Sequence, residues 1–390
     1  MAKSDAPNIQ RRQLLKFSGV LAGGAALSGL SSAAVAKSSE GTSSFKAPTP
    51  DSPIRICWNE NPLGMSPKAQ AVARETVAQG NRYPFESTGI LQKLIADDYG
   101  LSPDHVLLTA GATEGIRAAI EALAAPDIQL VCPALTFDSA EENAKVNGIT
   151  KITKVPMLKD WGIDLPAMKK AVADYDGPSV VYFVNPNNPT GAICKADEVE
   201  AWIKSKPAKT IFLMDEAYAE FADDKNFRSC SPLLTAGADN IILLKTFSKL
   251  FAMAGMRVGW AVSTPEMIGK LREKTASNAL NFPAVKAAIA SWQDKEFIKL
   301  SQVSNKTSRE ILLQALHALK LEYVPSNTNF IFHKVAVPLA EYQKQMKAAG
   351  ILVGRAFPPA DDYCRVSLGT PEEMTYVAKT MLELRKKGLV

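Results

Sequence analysis

HVLLTAGATEGIRAAIEALA, His105 to Ala124, joins two periodicities through one glycine. Val106, Leu107 and Leu108 form a short unbroken apolar run, the pattern of a strand buried on both faces. Past Gly111, apolar residues recur at Ile116, Ala119, Ile120 and Leu123, the spacing of one helix face. A strand that feeds a helix through a glycine turn is the repeating unit of an α/β sheet. Further strand candidates follow at IQLVCP (128–133), ITKVPM (152–157), SVVYFV (179–184), TIFLMD (210–215), NIILLK (240–245) and RVGWAV (257–262). Their alternation with helical patterns predicts an α/β fold, a mostly parallel sheet with helices on both faces. After Glu266 two long helices are predicted, then a shorter segment with NTNFIFHKV, LAEYQKQMKAAG and YCRVSLG. Residues 55–275 are read as an N-terminal arm and large domain, and 276–390 as a smaller α+β domain, with a cleft between them.

The chain has 390 residues, 46% hydrophobic and 22% charged, the balance of a globular protein large enough for two lobes. Its net charge of +5 is modest, and no basic stripe interleaved with aromatics follows the N-terminus, so nucleic acid is not an expected partner. Cys57, Cys132, Cys194, Cys230 and Cys364 are scattered without a Cys-x-x-Cys pair, and His105, His317 and His333 are far apart, so neither a disulfide framework nor a metal site is expected.

The N-terminus is read separately. Arg11 and Arg12, then Leu14, Leu15 and Lys16, precede a mild apolar stretch from Phe17 to Leu30 and then Ala34-Val35-Ala36. That is the layout of an export signal over residues 1–36, and it resembles a twin-arginine signal. The membrane is then met only transiently and the mature protein is periplasmic or otherwise exported. A general secretory signal, or an unprocessed segment leaving the protein cytoplasmic or membrane-anchored, stays open. Residues 37–54, rich in Ser, Thr and Pro, read as a flexible lead-in.

Polar residues gather where strand candidates end. VYFVNPNNPTG carries Asn188, IFLMDEAY carries Asp215 and Tyr218, and IILLKTFSK carries Thr246, Ser248 and Lys249. Lys249 lies among small, aromatic and aliphatic residues, with Arg257 eight positions on. A buried ammonium is costly unless it is paired or neutralised, so Lys249 is read as chemically employed. Taken singly, Asn-Pro turns and an aspartate after a strand also fit turn chemistry and helix capping.

Together, in this order and at these separations, they resemble the pyridoxal-phosphate enzymes of aminotransferase class I/II. The resemblance runs from WNENPLG (Trp58 to Gly64) to RVSLGTPEEM (Arg365 to Met374). Within the family, NENPLG, RYP, NPNNPTG, DEAY and TFSK look most like histidinol-phosphate aminotransferases. The resemblance implies the fold type I large domain and a Schiff base between Lys249 and pyridoxal 5'-phosphate. It implies that Asp215 faces the ring nitrogen, Asn188 and Tyr218 the phenolic oxygen, and Phe137 the ring face. Ala112, Thr113, Thr246, Ser248 and Arg257 would hold the phosphate, with the first two at a helix start. Arg365 would grip the substrate carboxylate, Asn59 would line the cleft, and Tyr83 would reach toward the cofactor phosphate of the partner in a homodimer.

One departure stands out. GILVGRAF places Gly354 first and Arg355, a candidate substrate-binding residue, one residue later than the arginine that holds the substrate phosphate in histidinol-phosphate aminotransferases. The expected function is amino transfer from an amino acid or related amine to a 2-oxo acid. A decarboxylase or lyase of the same fold, or a non-catalytic exported binding protein on this scaffold, stays open.

Overall fold

The computed structural model describes residues 45–390. The paired arginines, the apolar stretch and the lead-in up to residue 44 lie outside the described residues. In chain order the strands are β1 Ile54–Ile56, β2 Val106–Thr109, β3 Gln129–Pro133, β4 Lys151–Val155, β5 Ser179–Val184, β6 Thr210–Asp215, β7 Ile241–Thr246, β8 Gly259–Val262, β9 Phe330–Lys334, β10 Ile351–Val353 and β11 Tyr363–Ser367. Among the described residues β2 to β8 form one seven-stranded sheet in the order β2-β8-β7-β6-β5-β3-β4. Only β8 runs against its neighbours; the pairs among β3, β4, β5, β6 and β7 are parallel. The seven strand candidates of the sequence are these seven strands.

Both faces of the inner sheet are covered, which is why β3, β5, β6 and β7 read as nearly continuous apolar runs, whereas the edge strand β4 exposes Lys151 and Lys154. One face buries Val131, Val181, Phe183, Phe212, Met214 and Leu243, and the other Leu130, Val180, Tyr182, Leu213, Ile242 and Leu244. Consecutive residues thus point to opposite faces, as the pleat demands. The helix Ala112–Leu123 buries Ile116, Ala119 and Ile120 in the second of these cores. A third core joins β1, β9, β10 and β11 to the helices Lys295–Ala318 and Pro371–Lys386, through Ile54, Ile331, Ile351, Val366, Leu312, Leu316 and Met381.

The cores divide the chain elsewhere than at residue 275. Helix Phe282–Gln293 lies beyond that point, yet it buries Ala284, Val285, Ala288 and Trp292 in the first core. Ile54, placed by the sequence in the flexible lead-in, is buried and pairs in parallel with Ile351. Two apolar side chains on a three-residue strand suffice to tie the N-terminal segment to the third core. The helical stretch predicted after Glu266 does break in two, at Asp294, which caps the helix Lys295–Ala318 by accepting the Phe297 N–H. Among the described residues, no helix is long and apolar enough to cross a membrane.

Candidate active site

Parallel sheets present ligands with the carboxyl ends of their strands, and the polar residues of this chain collect there. Asp215 ends β6, Thr246 ends β7, Asn188 follows β5 by four residues, and the helix Ala112–Leu123 starts just past β2.

Asp215 is only 3% exposed. Its Oδ2 accepts the Tyr182 hydroxyl at 3.2 Å and its Oδ1 the Ala217 N–H at 3.1 Å. Burial pushes its carboxyl up to about 6, against the lowering effect of those two donors. A desolvated carboxylate held by two neutral donors favours a cation placed against it.

Lys249 is half-buried, not enclosed as its apolar context suggested. Its Nζ donates to the Asn59 carbonyl at 3.2 Å and stands 5.6 Å from the centre of the Tyr218 ring. The enclosed ammonium of this stretch is Lys245, on the opposite side of the pleat from Thr246. It is 2.7 Å from Glu220 and 3.4 Å from Glu216. Burial alone would weaken its hold on the proton, but Glu220 and Glu216 outweigh burial and hold its pKa up.

Asn59 is 1% exposed and adopts a left-handed backbone, φ 56°, a region that asparagine enters more readily than most residues. Its Nδ2 donates to the Tyr218 hydroxyl at 3.0 Å, and its Oδ1 accepts the Ser367 hydroxyl at 3.0 Å. Its carbonyl also accepts the Asn329 Nδ2 at 3.0 Å. Nearby, Arg365 Nη1 donates to Asn188 Oδ1 at 2.6 Å and Nη2 to the Cys57 carbonyl at 3.0 Å. Because a guanidinium can only donate, Asn188 turns its oxygen to Arg365 and keeps its Nδ2 free to donate into the site. Arg365 is itself buried, its Nε has no partner, and no carboxylate pairs with it among the described residues.

A second cluster surrounds the helix start. Gly111 caps the helix with no side-chain bond, and the N–H groups of Ala112 and Thr113 are left without partners among the described residues. Arg257 Nη2 donates to the Ala110 carbonyl at 3.1 Å, and Nη1 to the Ala254 carbonyl at 2.8 Å and the Ser248 hydroxyl at 3.4 Å. Thr246 donates its hydroxyl to Ser248 at 2.8 Å. Gly111, at φ 86°, has no room for a Cβ beside the Arg257 guanidinium. A Cβ at Gly259 would lie 2.7 Å from the Gly111 carbonyl carbon and 2.8 Å from the Ala112 nitrogen. The two glycines let backbone N–H groups, hydroxyls and a guanidinium converge, a donor set suited to a phosphate.

Phe137 is half-buried and borders a cavity of about 130 Å³ that Asp138, Glu141, Lys154, Arg355 and Phe357 also line. Arg355 is exposed, donates to Asp138 Oδ2 at 3.2 Å and lies 4.4 Å from the centre of the Phe357 ring. Lys154 pairs with Glu141 at 2.8 Å. Tyr83 is 67% exposed, its ring 5.6 Å from that of Phe85, and no hydrogen bond joins it to another site residue of this chain among the described residues. The histidines stand apart: His105 bonds Ser102, His317 bonds Tyr323, and His333 is buried, its pKa lowered to about 4 by desolvation.

Tyr182, Ser367 and Asn329 escaped the sequence reading. Tyr182 sits inside the run VVYFV of β5, and the one available signal was its hydroxyl, since a buried tyrosine needs a partner. Ser367 and Asn329 carry no such signal, because their partner Asn59 lies about 300 residues away.

A profile of the family described as "Aminotransferase class I and II" matches residues 52–381. The histidinol-phosphate aminotransferase of Symbiobacterium thermophilum is 33% identical over 323 residues, 82% of this chain and 87% of that protein. The solved structure of a "Putative histidinol-phosphate aminotransferase" from Erwinia carotovora atroseptica is 56% identical, with a TM-score of 0.87 over 89% of this chain and 100% of that one. The histidinol-phosphate aminotransferase from Sinorhizobium meliloti, solved in complex with pyridoxal-5'-phosphate, shares the fold at 23% identity, with a TM-score of 0.78 over 86% of this chain and 91% of that one.

Proposed function

The chain belongs to aminotransferase class I and II, and we propose that this pyridoxal-phosphate-dependent aminotransferase takes its amino group from an unphosphorylated amino acid and passes it to a 2-oxo acid. The residues present fit the cofactor. The uncapped helix start with Arg257, Thr246 and Ser248 suits its phosphate, and the desolvated Asp215 suits a protonated ring nitrogen. Tyr218 and the free Nδ2 of Asn188 suit its phenolic oxygen, and Lys249 its aldehyde. When bound, pyridoxal phosphate supplies a carbonyl for amine attachment and a ring that draws electrons from the donor's Cα–H bond. Asp215 holds positive charge at the closed end of the site. Lys249 Nζ takes the donor's Cα proton as general base and later gives a proton back as general acid. Arg365 orients the donor through its carboxylate.

A count of charges carries the donor assignment. Arg365 is a buried guanidinium without a carboxylate partner, whereas Arg355 is engaged by Asp138 and Lys154 by Glu141. With Arg257 and Lys249 assigned to the cofactor, Arg365 is the one cation left over among these site residues, and a single such cation matches a singly charged carboxylate better than a phosphate monoester of nearly two charges. The names of the relatives favour a second reading, histidinol phosphate as donor. Screening amino acids and histidinol phosphate against the purified protein, with 2-oxoglutarate and pyruvate as acceptors, separates the two. Strong activity on histidinol phosphate with little on any amino acid overturns the first. Gas or ammonia released without net amino transfer favours a decarboxylase or lyase.

The protein works as a homodimer in which Tyr83 serves the partner's site, a reading supported by its exposure and by that of Phe85 and Val77. Inactive Lys249→Ala and inactive Tyr83→Ala proteins, mixed under proven subunit exchange, then recover part of the activity; no recovery places Tyr83 in its own subunit's service. The cofactor is loaded in the cytoplasm and the folded enzyme leaves by the twin-arginine route, a reading supported by Arg11 and Arg12. Replacing both arginines by lysine should trap active, uncleaved enzyme inside the cell. Undiminished export of that variant removes the argument.

A further inference from the structure

We propose that Asn59 is a positioning residue that makes the Tyr218 hydroxyl a fixed donor into the site, through a relay whose polarity starts at a backbone N–H. The proposal rests on the pyridoxal-phosphate reading above. The Asn59 N–H donates to Ser367 Oγ at 2.8 Å, and a backbone N–H cannot reverse its role. Ser367 is 1% exposed, and the one acceptor within reach of its proton among the described residues is the Asn59 side chain at 3.0 Å. That atom is therefore the amide oxygen. The opposite amide orientation would leave a buried hydroxyl proton without an acceptor.

The amide nitrogen then faces Tyr218, 3.0 Å from its oxygen. An NH2 group only donates, so Tyr218 accepts from Asn59 and keeps its own proton. No acceptor for that proton stands within hydrogen-bond distance among the described residues, so it is free for the phenolic oxygen of the cofactor. On the other side, Arg365 orients Asn188 by the same logic, leaving its Nδ2 as a second donor. The left-handed backbone of Asn59 places its carbonyl under Lys249 Nζ at 3.2 Å while its side chain reaches Tyr218. This role replaces that of a residue lining the substrate cleft.

A donor on the phenolic oxygen draws charge from it and weakens its hold on a neighbouring proton, so it lowers the pH midpoint of the bound cofactor's absorbance. The test is an absorbance titration of holoenzyme for wild type, Asn59→Gly, Tyr218→Phe and the double variant. Glycine tolerates the left-handed backbone and keeps the carbonyl under Lys249. Asn59→Gly should raise the midpoint by about half a unit to one unit, the size of one lost hydrogen bond. In the Tyr218→Phe background the same change should shift it no further. The kcat should fall with the donor KM unchanged, whereas a cleft-lining residue would raise KM. Ser367→Ala leaves Asn59 in place and frees its amide to turn; it should move the midpoint in the same direction by less, and it serves as the test should Asn59→Gly fail to load cofactor. An unchanged midpoint in both Asn59→Gly and Ser367→Ala, or equal shifts with and without Tyr218, overturns the relay. A wild-type protein that acquires no absorbance with pyridoxal phosphate overturns the cofactor reading itself, and the relay with it.

Discussion

Lys245 and Lys249 stand four residues apart, one inside the last strand of the parallel run and one just beyond it, and the fold treats them in opposite ways. Lys245 points into the first core and is enclosed by two carboxylates, Glu216 and Glu220. Glu216 is committed further, accepting the Cys230 N–H at 2.7 Å and the Ser229 hydroxyl at 2.6 Å. Lys249 is half-buried, donates to a neutral carbonyl and faces the Tyr218 ring, with no carboxylate within ion-pair distance among the described residues. The first lysine is held in its charged form and joins β7 to the turn after β6; the second has no such carboxylate partner among the described residues and stands at the cofactor site. Matched counter-charges make an ammonium structural, and their absence leaves it available for chemistry. The same contrast holds for the carboxylates beside them. Glu216 is ion-paired with Lys245, whereas its neighbour Asp215 is buried and takes its hydrogen bonds from neutral donors, with Lys249 acting on it only through space.

Several substitutions would break this contrast, and the largest effect is expected at Lys249. Lys249→Ala should lower turnover by at least about 10⁴-fold, because general base and covalent attachment are lost together, while the melting temperature of the apoprotein stays within a few degrees of wild type. Borohydride reduction of loaded wild type followed by peptide mapping should find the label on Lys249. A label on Lys245 would reverse the two roles.

Asp215→Ala comes next, with an expected loss of about 10²–10⁴-fold in the rate of Cα proton removal. Single-turnover rates near wild type would reduce Asp215 to a turn residue.

Lys245→Met probes the structural partner. It strands the buried Glu216, with the partly exposed Glu220 beside it, and should cost about 3–5 kcal/mol of stability, read by denaturant unfolding. The fraction that folds and loads should turn over within about threefold of wild type. Lost turnover at unchanged stability would move Lys245 into the reaction.

The smallest effect sharpens the comparison of the carboxylates. In the apoprotein the pKa of Asp215 is raised to about 6, above its unfolded value, so its favourable contribution is fully present at low pH and is lost as pH rises through 6. Asp215→Asn apoprotein, neutral throughout, should therefore gain stability relative to wild type between about pH 4 and pH 7, by up to about 3 kcal/mol. Thermal melts of the two apoproteins across that range would show it, and parallel pH profiles would mean that Asp215 is better solvated than its burial implies.

The sequence by itself determined the sheet and the order of its chemistry. The inner strands were legible because two-sided burial writes nearly continuous apolar runs, and Asn188, Asp215 and Lys249 were legible because polar residues gather where those runs end. The three-residue strands β1 and β10 were not, since so few residues carry no period. Which lysine is enclosed also depended on the tertiary structure: Lys245 was passed over as the end of a strand, and Lys249 looked buried from its apolar neighbours. Arg355 meets Asp138 across 217 residues, and Ser367 sets the direction of Asn59 across 308. Periodicity and turn propensity are properties of a few adjacent residues, so they survive in a linear text. The partner of a hydrogen bond and the burial of a charge depend on whichever distant segment the fold brings across, and only the folded chain decides that.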